Sequence, residues 1–261
     1  MVSAWGDRYA RGFSEMAGVY VDLTRQATQL LDVAALDAGE SVLDVGCGPG
    51  TATLVVADRV GPEGRVIGVD LAPGMLARAS AATSGTATIL AVMDARQLAF
   101  GDGTFDVVTA NSVLQFTGRE SLGEWPRVTR PGGRVACSIP YGPAMWFELC
   151  RRYVHRTSEP YRSTMQARLD TAVGPPDAEQ ARALWGFGAV GAVVERLVRR
   201  YDSADEAWES EYQHGARVFL EELPADALER FRAEYVEALL PEGDGGGVAI
   251  PFEFHYWCFT R

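Results

Sequence analysis

The apolar run VLDVGCGPG (Val42 to Gly50) ends in a turn with glycines at 46, 48 and 50, and a helical pattern begins near Thr51. Glycine lets a backbone approach a ligand closely and take positive φ. The spacing G-x-G-x-G differs from the dinucleotide fingerprint G-x-G-x-x-G, which sets a pyrophosphate on a helix amino terminus. Here Asp44 precedes the turn. A carboxylate repels a pyrophosphate and attracts an ammonium group, so a nucleoside bearing an amino-acid group fits and a dinucleotide fits worse. Such turns also serve strand-to-helix packing alone.

Three further clusters follow at intervals. Asp70 ends the next apolar run, 20 residues after Gly50, where a carboxylate can accept both hydroxyls of a ribose; it also reads as an N-cap for Pro73 to Ala82. Leu71 and Met75 come next, Met75 as a soft contact for an aromatic base or as core. Met93-Asp94-Ala95 offers an acceptor for an exocyclic amine in Asp94 and a backbone donor in Ala95. NSVLQF (Asn111 to Phe116) lies after a fourth apolar run, so Asn111, Ser112 and Gln115 fall near the amino-acid end of such a ligand.

These clusters must be positioned by strands. VLDVG, RVIGVD (Arg65 to Asp70), ATILAVMDA (Ala87 to Ala95), FDVVTA (Phe105 to Ala110) and RVACSIP (Arg134 to Pro140) are continuous apolar, β-branched runs, as expected for parallel strands buried on both faces. Helical segments such as Pro73 to Ala82 and Arg119 to Thr129 alternate with them, which predicts a doubly wound sheet with right-handed crossovers. Leu23, Ala27, Leu30, Leu31 and Ala34 have the spacing of an amphipathic helix before the first strand. After Pro140 the rhythm changes. Residues 141–186 are helical in composition and contain a Gly174-Pro175-Pro176 break, so they read as an inserted cap. A strand-like run at Val190 to Val198, helical stretches near Ser203 to Leu220 and Pro224 to Leu240, and a last strand at Val248 to Thr260 complete the order.

Taken together, VLDVGCGPG, VIGVDLAPGMLARA, LAFGDGTFDVVTANSVLQF and RPGGRVACSIP resemble the class I S-adenosylmethionine (SAM)-dependent methyltransferases, in particular the branch similar to the ubiquinone and menaquinone C-methyltransferases. The resemblance covers residues 42–140 and continues more weakly to the last strand. It implies an α/β fold: a doubly wound, seven-stranded, mostly parallel, Rossmann-like sheet with a helical cap insertion. It also implies SAM as cofactor. Asp44, Gly46, Gly48, Asp70, Asp94 and Asn111 become cofactor contacts, with Cys47, Leu71, Met75, Ala95, Ser112 and Gln115 as neighbours. One departure is WPRVT (Trp125 to Thr129), where Pro126 should kink or shorten a helix.

The expected activity is methyl transfer to an O, N or C atom of a small aromatic or apolar molecule, plausibly in specialised metabolism. Tyr141, Trp146, Phe147, Tyr153 and Tyr161 of the cap suggest a ring-bearing acceptor, or ordinary packing. Trp5, Tyr9, Phe13 and Tyr20 within residues 1–40 suggest a lid. His155 and His214 are the base candidates, and His255 reads as structural. Two other functions fit the same cofactor: a cyclisation or rearrangement without methylation, and a silent partner-binding module.

At 261 residues the chain suits one domain. Its net charge is −11 and it contains no lysine, so no basic field for nucleic acid is expected. No apolar run reaches the roughly 20 residues of a membrane helix, and the amino terminus lacks the apolar core of a secretory signal, which predicts a cytoplasmic protein. Cys47, Cys137, Cys150 and Cys258 show no metal-ligand spacing, so no metal is expected. A monomer or homodimer is expected.

Overall fold

The computed structural model describes residues 19–117, 121–159, 161–171, 188, 190–212, 217–239, 241–242 and 247–261. Seven strands form one sheet: β1 (Ser41–Val45), β2 (Arg65–Asp70), β3 (Ile89–Val92), β4 (Phe105–Asn111), β5 (Thr129–Tyr141), β6 (Val190–Tyr201) and β8 (Gly247–Thr260). Their spatial order is β3-β2-β1-β4-β5-β8-β6, and a two-residue strand, β7 (Pro241–Glu242), pairs with β8. β1 to β5 run parallel, and β8 is antiparallel to both β5 and β6. The doubly wound, mostly parallel sheet expected from the continuous apolar runs is present. Connections leave β1 toward β2 in one direction, while β4 and β5 extend in the other, so the crevice between β1 and β4 is the topological switch point where ligands bind in open α/β sheets.

Val42, Leu43 and Val45 of β1 are fully buried because helices cover both faces. On one face α1 (Val19–Val33) and α2 (Thr51–Val60) bring Leu30, Leu31, Val56 and Val60 against Val42, Val107, Ala136 and Tyr256. α3 (Pro73–Ala82) follows β2. On the other face, α5 (Ser121–Val128), which follows the short α4 (Leu114–Thr117), inserts Trp125 and Val128 against Val108, Val135, Cys137 and Trp257. Pro126 lies inside α5, which ends after eight residues and passes directly into β5. Proline has no N–H for the helical ladder; the Thr129 hydroxyl then donates to the Trp125 carbonyl at 2.8 Å. β3 is shorter than the run Ala87 to Ala95, because it is an edge strand with Ile89 and Val92 more than half exposed.

The helices beyond Pro140 build a second core. α6 (Ala144–Tyr153), a 3-10 turn (Val154–Arg156) and α7 (Tyr161–Thr171) pack with α8 (Ala204–Tyr212), α9 (Arg217–Leu220) and α10 (Ala225–Ala238) around Trp208, Phe219, Phe231 and Tyr235. The helical stretch expected near Ser203 to Leu220 is helical at Ala204–Tyr212 and Arg217–Leu220, with residues 213–216 outside the described set. Trp146 and Tyr153 meet Phe231 edge-on, with centroids 5.2 and 5.3 Å apart. They therefore serve this core, a packing role for two of the aromatic residues read as acceptor contacts. Trp5, Tyr9 and Phe13, and the Gly174-Pro175-Pro176 break, lie outside the described residues. Among the described residues no helix is long and apolar enough to cross a membrane.

Glu211 sits in this aromatic core, 9% exposed, and accepts a hydrogen bond from the Tyr235 hydroxyl at 3.0 Å. Burial pushes its carboxyl from 4.5 up to about 7, opposed by the Tyr235 bond and Arg199. The folded protein thus binds more protons than the unfolded chain between those values, so this site contributes stability that is complete at low pH and is lost as pH rises through about 7. Glu211→Gln is expected to raise unfolding stability by roughly 2–3 kcal/mol above that pH and by much less below it. Urea unfolding at about pH 5 and about pH 8.5 reads the difference; an effect independent of pH contradicts this account.

Candidate functional site

The turn between β1 and α2 needs glycine for two separate reasons. Gly46 has φ +63°, and a Cβ there would lie 2.6 Å from Val113 Cγ2, so the close approach of the segment after β4 excludes a side chain. Gly48 has φ +53°, but an added Cβ would meet only the Gly46 carbonyl, at 4.0 Å. Its open side is space on the carboxyl rim of the sheet. A left-handed residue with a free flank is where a ligand can approach the main chain.

Asp70, at the end of β2, fixes this turn. Its Oδ2 accepts the Gly48 N–H at 2.9 Å and its Oδ1 accepts the Ala72 N–H at 2.8 Å. Ala72, not Asp70, is the N-cap of α3, and no side chain caps that helix, so the N-cap reading of Asp70 is corrected. Its carboxylate ties the loop before α3 to the glycine turn, while lone pairs remain on both oxygens. Burial pushes its carboxyl above the ordinary value, opposed by the backbone amides.

Asp44 occupies a different position from the one its sequence context suggested. It is 1% exposed, with Oδ2 accepting from Thr53 at 2.6 Å and Oδ1 from Thr109 at 3.1 Å. The carboxylate lies beneath the turn, closed over by hydroxyls from α2 and β4. Burial pushes it up to about 6, the two threonine bonds lower it, and nearby Asp70 raises it. It can act on a cation above the turn only through its field.

The remaining candidates surround the same rim. Cys47 is buried against Gly68 and Leu90, and burial, with Asp44 and Asp70 nearby, pushes its thiol far above the ordinary range. It is no nucleophile. Leu71 is half-buried, and Met75 is buried in the first turn of α3. Asp94 lies just past β3 and is gripped by Arg96, which donates through Nε at 3.0 Å and Nη2 at 2.7 Å. That hydrogen bonding holds its carboxyl below the usual range. Ala95 is buried and its carbonyl accepts from Trp125 Nε1 at 3.1 Å.

At the end of β4, Asn111 Oδ1 accepts from the Ser138 hydroxyl at 2.8 Å, and Ser138 Oγ accepts the Ser112 N–H at 3.0 Å. Ser112 has φ +56°, a conformation uncommon outside glycine, and its hydroxyl reaches buried Gln26 of α1 at 3.4 Å. Gln115 lies in α4; its side chain is outside the described set. Thr53, Thr109, Ser138 and Gln26 had no sequence signal, because each acts through a register that the folded sheet sets.

The histidine candidates do not join this site. His155 is exposed in the 3-10 turn after α6, in a groove lined by Arg152, Tyr153, Arg156, Arg230 and Glu234. No residue of the rim borders that groove. His214 lies outside the described residues. Among the described residues no cluster of three or more metal-ligating side chains forms.

Residues 42–133 match the family described as a methyltransferase domain. Nearly the whole chain is similar to nocamycin O-methyltransferase of Saccharothrix syringae, 30% identical over 266 residues that cover 94% of this chain and 95% of that protein. It is also similar to trans-aconitate 2-methyltransferase of Streptomyces avermitilis, 30% identical, with 91% and 89% of the two chains covered. Among solved structures, the YcgJ protein of Bacillus subtilis shares the fold with a TM-score of 0.57 at 19% identity, covering 91% of this chain and 98% of that one.

The Gly46–Val113 approach generates a stability prediction. Gly46→Ala combines strained φ with a clash and is expected to cost roughly 2–4 kcal/mol. Adding Val113→Ala should recover part of that loss in denaturant unfolding, whereas strict additivity of the two single losses contradicts the contact.

Proposed function

The chain belongs to the class I SAM-dependent methyltransferases, and from that premise we propose that it methylates an oxygen atom of a small acceptor with an aromatic or apolar body, in specialised metabolism. Support for oxygen comes from the full-length likeness to a nocamycin O-methyltransferase. The observation that carries the cofactor site is the clasp of the Gly48 N–H by Asp70, beside a glycine flank that any side chain would fill.

The residues present fit SAM. Asp70 keeps lone pairs for ribose hydroxyls. Asp94, 31% exposed at its side chain, has acceptor capacity left for an adenine amine, with the Ala95 N–H as the adjacent donor. Leu71 and Met75 would lie by the base, Gly46, Cys47 and Gly48 would border the amino-acid end, and Asn111 at the end of β4, Ser112 just after it and the α4 position Gln115 would close it. Asp44 contributes a negative field beneath an ammonium and a sulfonium.

When bound, SAM supplies a methyl group made electrophilic by its sulfonium charge. The chain's own task is to orient the acceptor and exclude water, which supplies much of the acceleration in such a reaction. The carboxyl ends of β4 and β5 and the helices after Pro140 are the proposed walls of the acceptor site, with residues 141–186 and 1–40 as its cap and lid.

Asp70→Asn removes the charge and sets an amide donor against one of the two N–H groups that the carboxylate accepts. It is expected to weaken SAM binding by roughly 1.5–3 kcal/mol, about 10- to 100-fold. Calorimetry on the folded variant measures this, and an unaltered affinity counts against the site. For the wild type, S-adenosylhomocysteine release with hydroxylated aromatic acceptors is the expected product signal; acceptor conversion without it contradicts methyl transfer.

A further inference from the structure

β8 carries Glu253, His255 and Trp257 on one face of the sheet, and Ile139 and Tyr141 of β5 share that face through antiparallel pairing. Ile139 pairs with His255, one residue nearer the carboxyl rim than the Asn111–Ser138 pair. Two strand spacings, about 10 Å, therefore separate His255 from the end of β4. The imidazole stacks on Tyr141 with centroids 4.5 Å apart and is 14% exposed. Val194, opposite it on β6, is 38% exposed, which leaves that flank open.

The ring's hydrogen bonding fixes its tautomer. Nε2 lies 2.9 Å from Glu253 Oε2, and Glu253 Oε1 accepts from Arg196 Nε at 2.9 Å. The His255 bond, then that of Arg196, holds the Glu253 carboxyl below its usual range. An ionised carboxylate only accepts, so in the neutral ring Nε2 carries the proton and Nδ1 presents a lone pair. That Nδ1 is buried and has no hydrogen-bond partner among the described residues, and the same is true of the neighbouring Trp257 Nε1–H. The two rings lie 6.2 Å apart. Native proteins rarely leave buried polar atoms unpaired, and here an acceptor and a donor stand side by side near the methyl-transfer rim.

The geometry points to His255 and Trp257 as the seat of the acceptor's hydroxyl group, with Glu253 as the positioning residue behind the imidazole. This rests on the methyl-transfer reading above. The acceptor O–H donates to His255 Nδ1, and Trp257 Nε1–H donates to an oxygen of the same molecule. As the acceptor oxygen bonds the methyl carbon, the methyl–sulfur bond breaks with its electron pair left on sulfur, and the acceptor's proton passes to Nδ1. The imidazolium so formed is offset by Glu253. The other groups facing the ring are the Tyr141 phenol from β5 and, behind Glu253, Arg196 of β6; Val194 is apolar.

The test uses the full-length protein labelled with 15N, with phenol as the hydroxyl probe. Loss of a signal in His255→Asn assigns the ring. The expected spectrum shows the proton on Nε2, and phenol moves the Nδ1 and Trp257 indole resonances with one common dissociation constant. Glu253→Gln weakens the hold on the Nε2 proton, and its 15N spectrum is expected to move from the single Nε2–H tautomer toward a mixture of both, which a merely structural side chain would not do. A proton on Nδ1, an unchanged tautomer in Glu253→Gln, or resonances unmoved at the solubility limit of phenol overturns the inference. SAM calorimetry on the same sample separates the two levels. SAM binding with unmoved resonances sinks the hydroxyl seat alone, and absence of SAM binding overturns both.

Discussion

The Asp70 carboxylate spans two loops that the chain places 22 residues apart, from Gly48 to Asp70. One oxygen holds the glycine turn after β1 and the other holds the amide of Ala72, the residue just before α3. Without that clasp, a turn built on left-handed glycines has little to set its shape, since glycine loses more conformational freedom on ordering than any other residue. The lone pairs that this clasp leaves free are the ones the proposed cofactor reading draws on.

A second acid lies beneath the first. Asp44 is sealed by Thr53 and Thr109, and its burial raises its affinity for a proton. A charge in that position is expensive unless hydrogen-bonded, and the two hydroxyls supply those bonds. The arrangement sets negative potential under the rim while keeping the carboxylate out of reach of solvent. A cationic ligand gains from that field without touching its source.

The two cores divide the remaining work. The sheet with α1, α2, α3 and α5 fixes the rim through parallel register: Asp44 pairs with Gly68 and Thr109, and Asp70 with Val92. The aromatic core around Phe231 joins helices from before β6 and after it into one body. β8 links the halves, because its residues from Val248 to Phe252 face the helical core and those from Phe254 onward face the sheet. The unpaired nitrogens of His255 and Trp257 lie on the other face of β8 from Val248, Ile250 and Phe252, since strand side chains alternate.

The sheet, its strand segments and the rim location of Gly46, Gly48 and Asp70 were legible in the sequence, because continuous apolar runs, glycine spacing and chain order are local or nearly local signals. Asp44, His155 and His255 were not. A strand-end acid reads the same whether it faces a ligand or is closed over by threonines from α2 and β4. A histidine in a helical stretch reads the same on a cap's outer surface as beside a rim. The last strand's histidine, taken as structural by its alternation, has its carboxylate two residues away on the same strand, but its aromatic neighbour Tyr141 comes only through antiparallel pairing with β5. Sequence determined which residues can do chemistry; long-range register, which no local pattern encodes, decided which of them face one another.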